Sequence, residues 1–180
     1  VELIGGYRAV CAGERPPVWV DIGCGDGSLL MTAADYGFTA IGLDARTETI
    51  ERIKTIGYPA VQGEFETVQF EGPVDVLSMM DALEHMPFPH RALEKAGKVL
   101  RPGGLLIVST PDSAASSWKL LDLMNANPYW AEIEHHHNFS RHLLIQLLGA
   151  RGFETVSFSV PYRYKAQMEL YALNRNVTAA

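Results

Sequence analysis

The sequence predicts an α/β domain built on an open, largely parallel sheet. A strand pattern, Val18-Trp19-Val20-Asp21-Ile22, runs directly into a glycine-rich loop and then a helical segment, Leu29-Leu30-Met31-Thr32-Ala33-Ala34. Short apolar runs and helical patterns then alternate as far as Ser109, and carboxylates stand at successive strand ends, at Asp21, Asp44 and Glu64. At 180 residues, 47% of them hydrophobic and 20% charged, one globular domain can bury a core of its own.

Taken in order, residues 1–15 carry Leu3, Ile4, Tyr7 and Val10 and predict a short N-terminal helix that ends before Pro16-Pro17. After the first strand and its loop, a helix is expected over Ser28–Tyr36 and a stop at Gly37. Residues 38–44 read as a second strand. So short a strand–helix–strand distance implies a crossover, and both strands then open on one edge of the sheet. A helix over Thr47–Ile56 presents Ile50, Ile53 and Ile56, and a third strand follows at 58–62.

Residues 74–80 are apolar enough for a central strand covered on both faces. A polar loop, Asp81 to Pro87, a helix over 91–100, a turn at Arg101-Pro102-Gly103-Gly104 and a strand at 105–109 come next. Residues 110–138 lack any sheet signal, apart from a short helix expected over 117–125; so long an insertion at the ligand edge points to a lid. Ser140 is placed to cap a helix over 141–150 with Leu143, Leu144, Leu147 and Leu148 on its apolar face. Strands at 153–160 and about 162–173, joined through Pro161, predict an antiparallel hairpin.

The composition narrows the functional classes. A net charge of −6 disfavours a nucleic-acid partner and leaves small molecules as the default. No run reaches the ~18 apolar residues of a membrane span, and no basic-then-apolar leader is present, so a cytoplasmic protein is expected. Cys11 and Cys24 are the only cysteines and no disulfide is expected; a catalytic thiol at Cys24 is the weaker reading of that residue.

Gly23, Gly25 and Gly27 allow a ligand to lie against the backbone, and the helix after them offers unpaired N–H groups to an anion. Two ligand classes compete here. A dinucleotide fingerprint requires glycine at position 28, where the chain has Ser28. Asp21, at the end of a buried strand, calls for a cationic or donor-rich partner, which suits the α-amino group of S-adenosylmethionine better than a pyrophosphate. Asp44, about 20 residues past the loop, stands where a carboxylate accepts from ribose hydroxyls, and both candidate ligands contain a ribose.

The chain resembles the class I S-adenosylmethionine-dependent methyltransferases, in particular the small-molecule group related to ubiquinone-biosynthesis O-methyltransferases. The resemblance rests on Val20 through Gly27, Gly42-Leu43-Asp44, Val61 through Glu64, Asp75-Val76-Leu77 through Leu83-Glu84-His85, Leu100 through Gly104, and Phe139-Ser140-Arg141 through Phe153, all in the family's order. It implies a Rossmann-like, doubly wound, seven-stranded sheet of order 3-2-1-4-5-7-6 with strand 7 antiparallel. It also implies S-adenosylmethionine as cofactor and S-adenosylhomocysteine as product. Gly23, Gly25 and Gly27 would cradle the methionine part near Asp21, Asp44 would hold the ribose, Glu64 and the backbone of Phe65 would meet the adenine, and Asp81 would begin the loop beneath the sulfonium. Only about 16 residues precede the first strand, so residues 111–138, or a partner chain, are expected to supply most of the lid.

Methyl transfer asks the protein chiefly to align the reactants and exclude water; a hydroxyl acceptor adds the need for a general base. His85 is the first candidate and His136 the second, from a His135-His136-His137 run that as a set reads as solvated loop. Asp81, Glu84 and His85 also match a stretch that some ubiquinone-pathway relatives use for a divalent cation, but it offers too few oxygen ligands, and no metal is assigned. Trp118, Tyr129 and Trp130 suit either an apolar acceptor wall or the core. The reading is a methyltransferase for a small-molecule acceptor, with a hydroxyl favoured and a homodimer allowed. A catalytically inactive cofactor-binding partner protein is the alternative, and a nucleotide-dependent oxidoreductase stands third.

Overall fold

The seven strands are Val18–Ile22 (β1), Thr39–Asp44 (β2), Ala60–Gln62 (β3), Val74–Met80 (β4), Leu100–Pro111 (β5), Phe153–Ser159 (β6) and Gln167–Asn174 (β7). They form one sheet in the order β3-β2-β1-β4-β5-β7-β6. Neighbours from β3 to β5 pair parallel, and β7 runs antiparallel to both β5 and β6, as expected. The helices are Glu2–Val10 (α1), Ser28–Asp35 (α2), Thr47–Thr55 (α3), Pro89–Val99 (α4), Ser116–Leu123 (α5) and Arg141–Gly149 (α6), with 3-10 turns at Leu83–His85 and Pro128–Ala131. This computed structural model describes residues 2–10, 15–160 and 166–176. Cys11 and the expected hairpin connection at Pro161 lie outside the described residues.

Alternating side chains of the strands feed two apolar layers. Val20, Ile22, Leu43, Leu77, Met79, Leu106 and Val108 pack with Leu93 and Ala96 of α4 and Leu144 and Leu148 of α6. Trp19, Ala40, Val76, Leu105 and Ile107 pack on the other face with Leu30 and Ala33 of α2 and Ile53 of α3. Tyr7 of α1 joins that second layer, and its hydroxyl lies 2.9 and 3.0 Å from the Asp75 and Gly103 carbonyls, which share its one hydrogen.

Four elements depart from the sequence reading. The expected turn at 101–104 is an irregularity inside β5: Val74 pairs with Leu100, and two residues on, Val76 already pairs with Leu105. The excess residues bulge out, with Gly103 at φ +73°, while Arg101 donates to the Asp75 carboxylate. Helix α4 begins at Pro89 instead of Arg91, since proline's fixed φ suits the first helical position. Leu143 of α6 is half exposed, whereas Leu144 and Leu148, four residues apart, are fully buried. A 3-10 turn occupies Pro128–Ala131, where no element was expected; Asn127 caps it by accepting from the Tyr129 amide.

Gly27, the N-cap of α2, has φ +81°, and a Cβ there would lie 2.5 Å from Ile53 Cδ1 of α3. Strain and overlap would therefore act together. Gly27→Val is expected to lower the unfolding free energy by about 2 kcal/mol or more, read from urea denaturation; an unchanged midpoint would show that the α2–α3 contact is not tight.

Candidate functional site

The C-terminal ends of β1, β2, β3 and β4 open on one edge of the sheet, and a cavity of about 650 Å³ lies there. Gly23, Asp44, Glu64, Phe65, Asp81, His85 and His136 all line it. That volume is in the range that takes a nucleoside-sized ligand.

The glycine loop folds back onto β2, where the Gly23 and Cys24 amides both donate to the Leu43 carbonyl, at 2.8 and 3.2 Å. Gly23 has φ +71°, and a Cβ on it would come within 3.3 Å of Ala82, so a side chain would crowd the floor of the cavity. Gly27 is buried against Ile53 and does not line the cavity. The start of α2 is partly satisfied by the protein, since Asp26 Oδ1 accepts from the Ser28 amide at 3.0 Å. Cys24 is buried above Gly42, and burial pushes its thiol up to about 12, which removes the case for a nucleophile.

Asp21 lies behind the loop, in a cross-strand row with Gly42 and Ser78. Its carboxylate is buried, and Oδ1 accepts from Ser78 Oγ at 2.6 Å, while Ser78 Oγ accepts from Trp19 Nε1 at 2.8 Å. Burial raises Asp21 to about 7; the Ser78 bond opposes this and the Asp44 charge adds to it. Asp44 differs. Burial alone would raise it, but hydrogen bonds from the Arg46 side chain and amide, with a weaker one from the Gly25 amide at 3.4 Å, hold it below the usual carboxylate range.

Glu64 is exposed at the end of β3, and its carbonyl accepts from the Thr67 and Val68 amides, which fixes the turn through Phe65. The Phe65 side chain is buried in the core, so only its backbone is free to serve the cavity. Asp81 has φ +49°, rare for a residue with a side chain, and both of its carboxylate oxygens are held: Ser109 Oγ donates to Oδ1 and Gln167 Nε2 to Oδ2.

His85 closes the 3-10 turn after β4, and its Nδ1 lies 3.1 Å from the Glu134 carbonyl. A carbonyl can only accept, so in the neutral ring Nδ1 carries the hydrogen and Nε2 keeps its lone pair. The histidine run is anchored through its backbone, although the His136 side chain is exposed as a solvated loop would have it. The His136 and His137 amides donate to the Glu84 carbonyl, His137 Nε2 lies 3.3 Å from the Pro87 carbonyl, and the His135 ring packs edge-on against His85 with centroids 4.6 Å apart. From the insertion, Ile133, Glu134 and His136 line the cavity. Trp118, Tyr129 and Trp130 do not line it; Trp118 stacks on Tyr129 at 4.7 Å and meets Trp130 edge-on.

Glu84 is the residue that sequence reasoning undervalued. It is 1% exposed, neither carboxylate oxygen makes a hydrogen bond of good geometry, and burial raises it to about 8, opposed by its own backbone amide and the Thr110 hydroxyl and helped by the Asp81 charge. The Glu84, His85 and His135 ligand atoms lie within 4.8 Å of one another. Nothing in an acidic residue between Leu83 and His85 announces such burial. Ser78, a hydroxyl inside the apolar run of β4, did carry a visible signal.

A family model described as a methyltransferase domain matches residues 4–158. Among curated relatives, ubiquinone biosynthesis O-methyltransferase of Colwellia psychrerythraea is 30% identical over 109 residues, 56% of this chain and 44% of that protein. The protein of the same name from Thiobacillus denitrificans is 32% identical over 121 residues, 63% of this chain and 51% of that one. The chain thus spans about half the length of the curated relatives it matches. Solved structures share the fold at low identity. Magnesium protoporphyrin IX methyltransferase of Synechocystis with bound S-adenosylhomocysteine has TM-score 0.72 at 16% identity, covering 96% of this chain and 80% of that one. A SAM-dependent methyltransferase of Archaeoglobus fulgidus has TM-score 0.72 at 14% identity, covering 96% and 93%.

Glu84 and Asp21 both gain their protons more readily folded than unfolded, so each stabilises the fold below its ordinary value, 4.5 or 3.8, and that stability is lost as pH rises through about 8 and about 7. His135, lowered chiefly by burial, acts in the opposite direction, which confines the clean comparison to pH 6.5 and above. Stability is expected to fall by about 2 kcal/mol between pH 6.5 and 8.5, and Glu84→Gln to flatten the decline, as followed by thermal melts. An equally steep decline in the variant would locate the titrating group elsewhere.

Proposed function

The chain belongs to the methyltransferase domain family, and from that premise we propose that it transfers a methyl group from S-adenosylmethionine to a hydroxyl of a small molecule. One observation carries the reading: Gly23, Asp44, Glu64, Asp81 and His85, from separate parts of the chain, meet in one cavity at the carboxyl edge of a parallel sheet. The residues present suit the cofactor. Gly23 leaves room for a ligand on the backbone, Asp44 would accept from a ribose diol once protein donors give way, and Glu64 with the Phe65 backbone would meet the exocyclic amine of adenine. Asp81, fixed by Ser109 and Gln167, places a carboxylate on the cavity lining where it would face the sulfonium, while Asp21 lies buried beneath the loop.

Bound there, S-adenosylmethionine would supply an activated methyl group. The protein's own part is alignment, exclusion of water and removal of one proton. Met86, Pro87 and Ile133 give the cavity its apolar wall. His85 Nε2, with its lone pair free because Nδ1 is bound to the Glu134 carbonyl, takes the acceptor's hydroxyl proton. His136 on the same wall is the second group able to serve. The acidic balance of the chain favours a small acceptor over nucleic acid.

Calorimetry with S-adenosylhomocysteine is expected to give saturable heat that Asp44→Ala abolishes; no heat at high ligand concentration would remove the proposal. Once an acceptor is found by turnover screening, His85→Ala is expected to lower kcat about 100-fold or more while S-adenosylhomocysteine affinity stays within about twofold. Equal loss of both would make His85 a structural part of the pocket instead.

A further inference from the structure

The Asp44 carboxylate is already fully engaged by the protein. Oδ1 accepts from the Arg46 amide and from Arg46 Nε, both at 3.0 Å, and Oδ2 accepts from Arg46 Nη2 at 3.1 Å and from the Gly25 amide at 3.4 Å. A carboxylate offers about four lone-pair sites, and four donors fill them. A ribose diol brings two further donors, so it cannot bind Asp44 unless two of the present ones leave.

The backbone donors have little freedom. The Arg46 amide opens α3, and the Gly25 amide belongs to the loop docked on β2. The guanidinium is free to move, because the Arg46 side chain is 67% exposed while that of Asp44 is 5% exposed. We propose that Arg46 competes with the cofactor for Asp44 and so sets how tightly the nucleoside is held. This rests on the reading of the cavity as a cofactor site.

The displaced guanidinium has a second carboxylate within reach. Arg46 and Glu134 line the same cavity, Glu134 from the insertion and Arg46 from the β2 side, and Glu134 adds to the field that favours charged Arg46. The peptide around Glu134 is itself fastened to the turn after β4, by Nδ1–H of His85 to the Glu134 carbonyl and by the His136 amide to the Glu84 carbonyl. Arg46 leaving Asp44 for Glu134 therefore joins the nucleoside end of the cavity to the insertion. The pair is bidentate, with the guanidinium in solvent and the carboxylate buried, so the exchange is reversible because the ribose hydroxyls replace the donors that Arg46 withdraws.

The test is calorimetry of S-adenosylhomocysteine binding to the wild type, Arg46→Met, Glu134→Gln and the double variant, at one pH and ionic strength, with thermal melts to verify folding. Arg46→Met, which keeps the apolar stem, is expected to bind about fivefold more tightly than wild type. Weaker or unchanged binding in a folded Arg46→Met protein, while wild type still binds, overturns the competition and makes Arg46 a support for Asp44. Glu134→Gln is expected to weaken binding two- to fivefold when Arg46 is present and to change nothing in the Arg46→Met background. An equal effect in both backgrounds overturns the link to the insertion. Absence of heat in all four proteins would instead bring down the cofactor reading itself, and this proposal with it.

Discussion

The site depends on one carbonyl. Leu43 O accepts from two consecutive amides, Gly23 and Cys24, and this pins the loop after β1 across the end of β2. The docking works because Gly42, the neighbour of Leu43, has no side chain: Cys24 Sγ and Leu30 fill the volume that a Cβ would take. A side chain at position 42 would lift the loop and the helix behind it together. With the loop down, Asp21 is sealed beneath it, Asp44 reaches the Gly25 amide, and Gly23 becomes floor to the cavity.

Three carboxylates on the central strands or their tips show how position decides chemistry. Asp75, at the opposite end of β4, accepts from the Val18 amide and from Arg101, and pairs with Arg15; these partners outweigh its burial and hold it low. Asp21 has a single hydroxyl partner and Glu84 no hydrogen bond of good geometry, and both are raised. Of these three, the two raised acids stand at the carboxyl edge of the sheet and the satisfied one at the far edge; Asp44, also at the carboxyl edge, is held low by the donors of Arg46 and Gly25. That asymmetry fits a sheet whose carboxyl end is kept for chemistry and whose amino end is kept for stability.

The insertion between β5 and α6 builds its own support. Trp118 is buried by its stack with Tyr129, and the Trp130 indole nitrogen donates to Asp122, so the aromatic residues consolidate the insertion and stay off the cavity wall. Backbone bonds from His136 and His137 to Glu84, with His85 on the Glu134 carbonyl, hold the insertion to the turn after β4. The same histidines that suggest catalysis by their chemistry thus carry structure through their peptides.

The chain by itself determined the alternation of strands and helices, the glycine loop, the capping of α6 by Ser140, and Asp44 at the tip of β2, because each is written in local spacing and backbone preference. Only the tertiary structure decided which acids are raised. Nothing near Glu84 in sequence shows that Thr110 and His135 will come beside it, and the turn expected at 101–104 became a bulge once β4 imposed its register on β5. The saturation of Asp44 by Arg46 was likewise out of reach, although the two are separated by one residue. Whether a short-range pair forms depends on where the carboxylate points, and that was set by the sheet and the Gly25 loop across it. Local pattern fixes which groups exist at an edge; their desolvation and pairing come from elements far along the chain that meet only on folding.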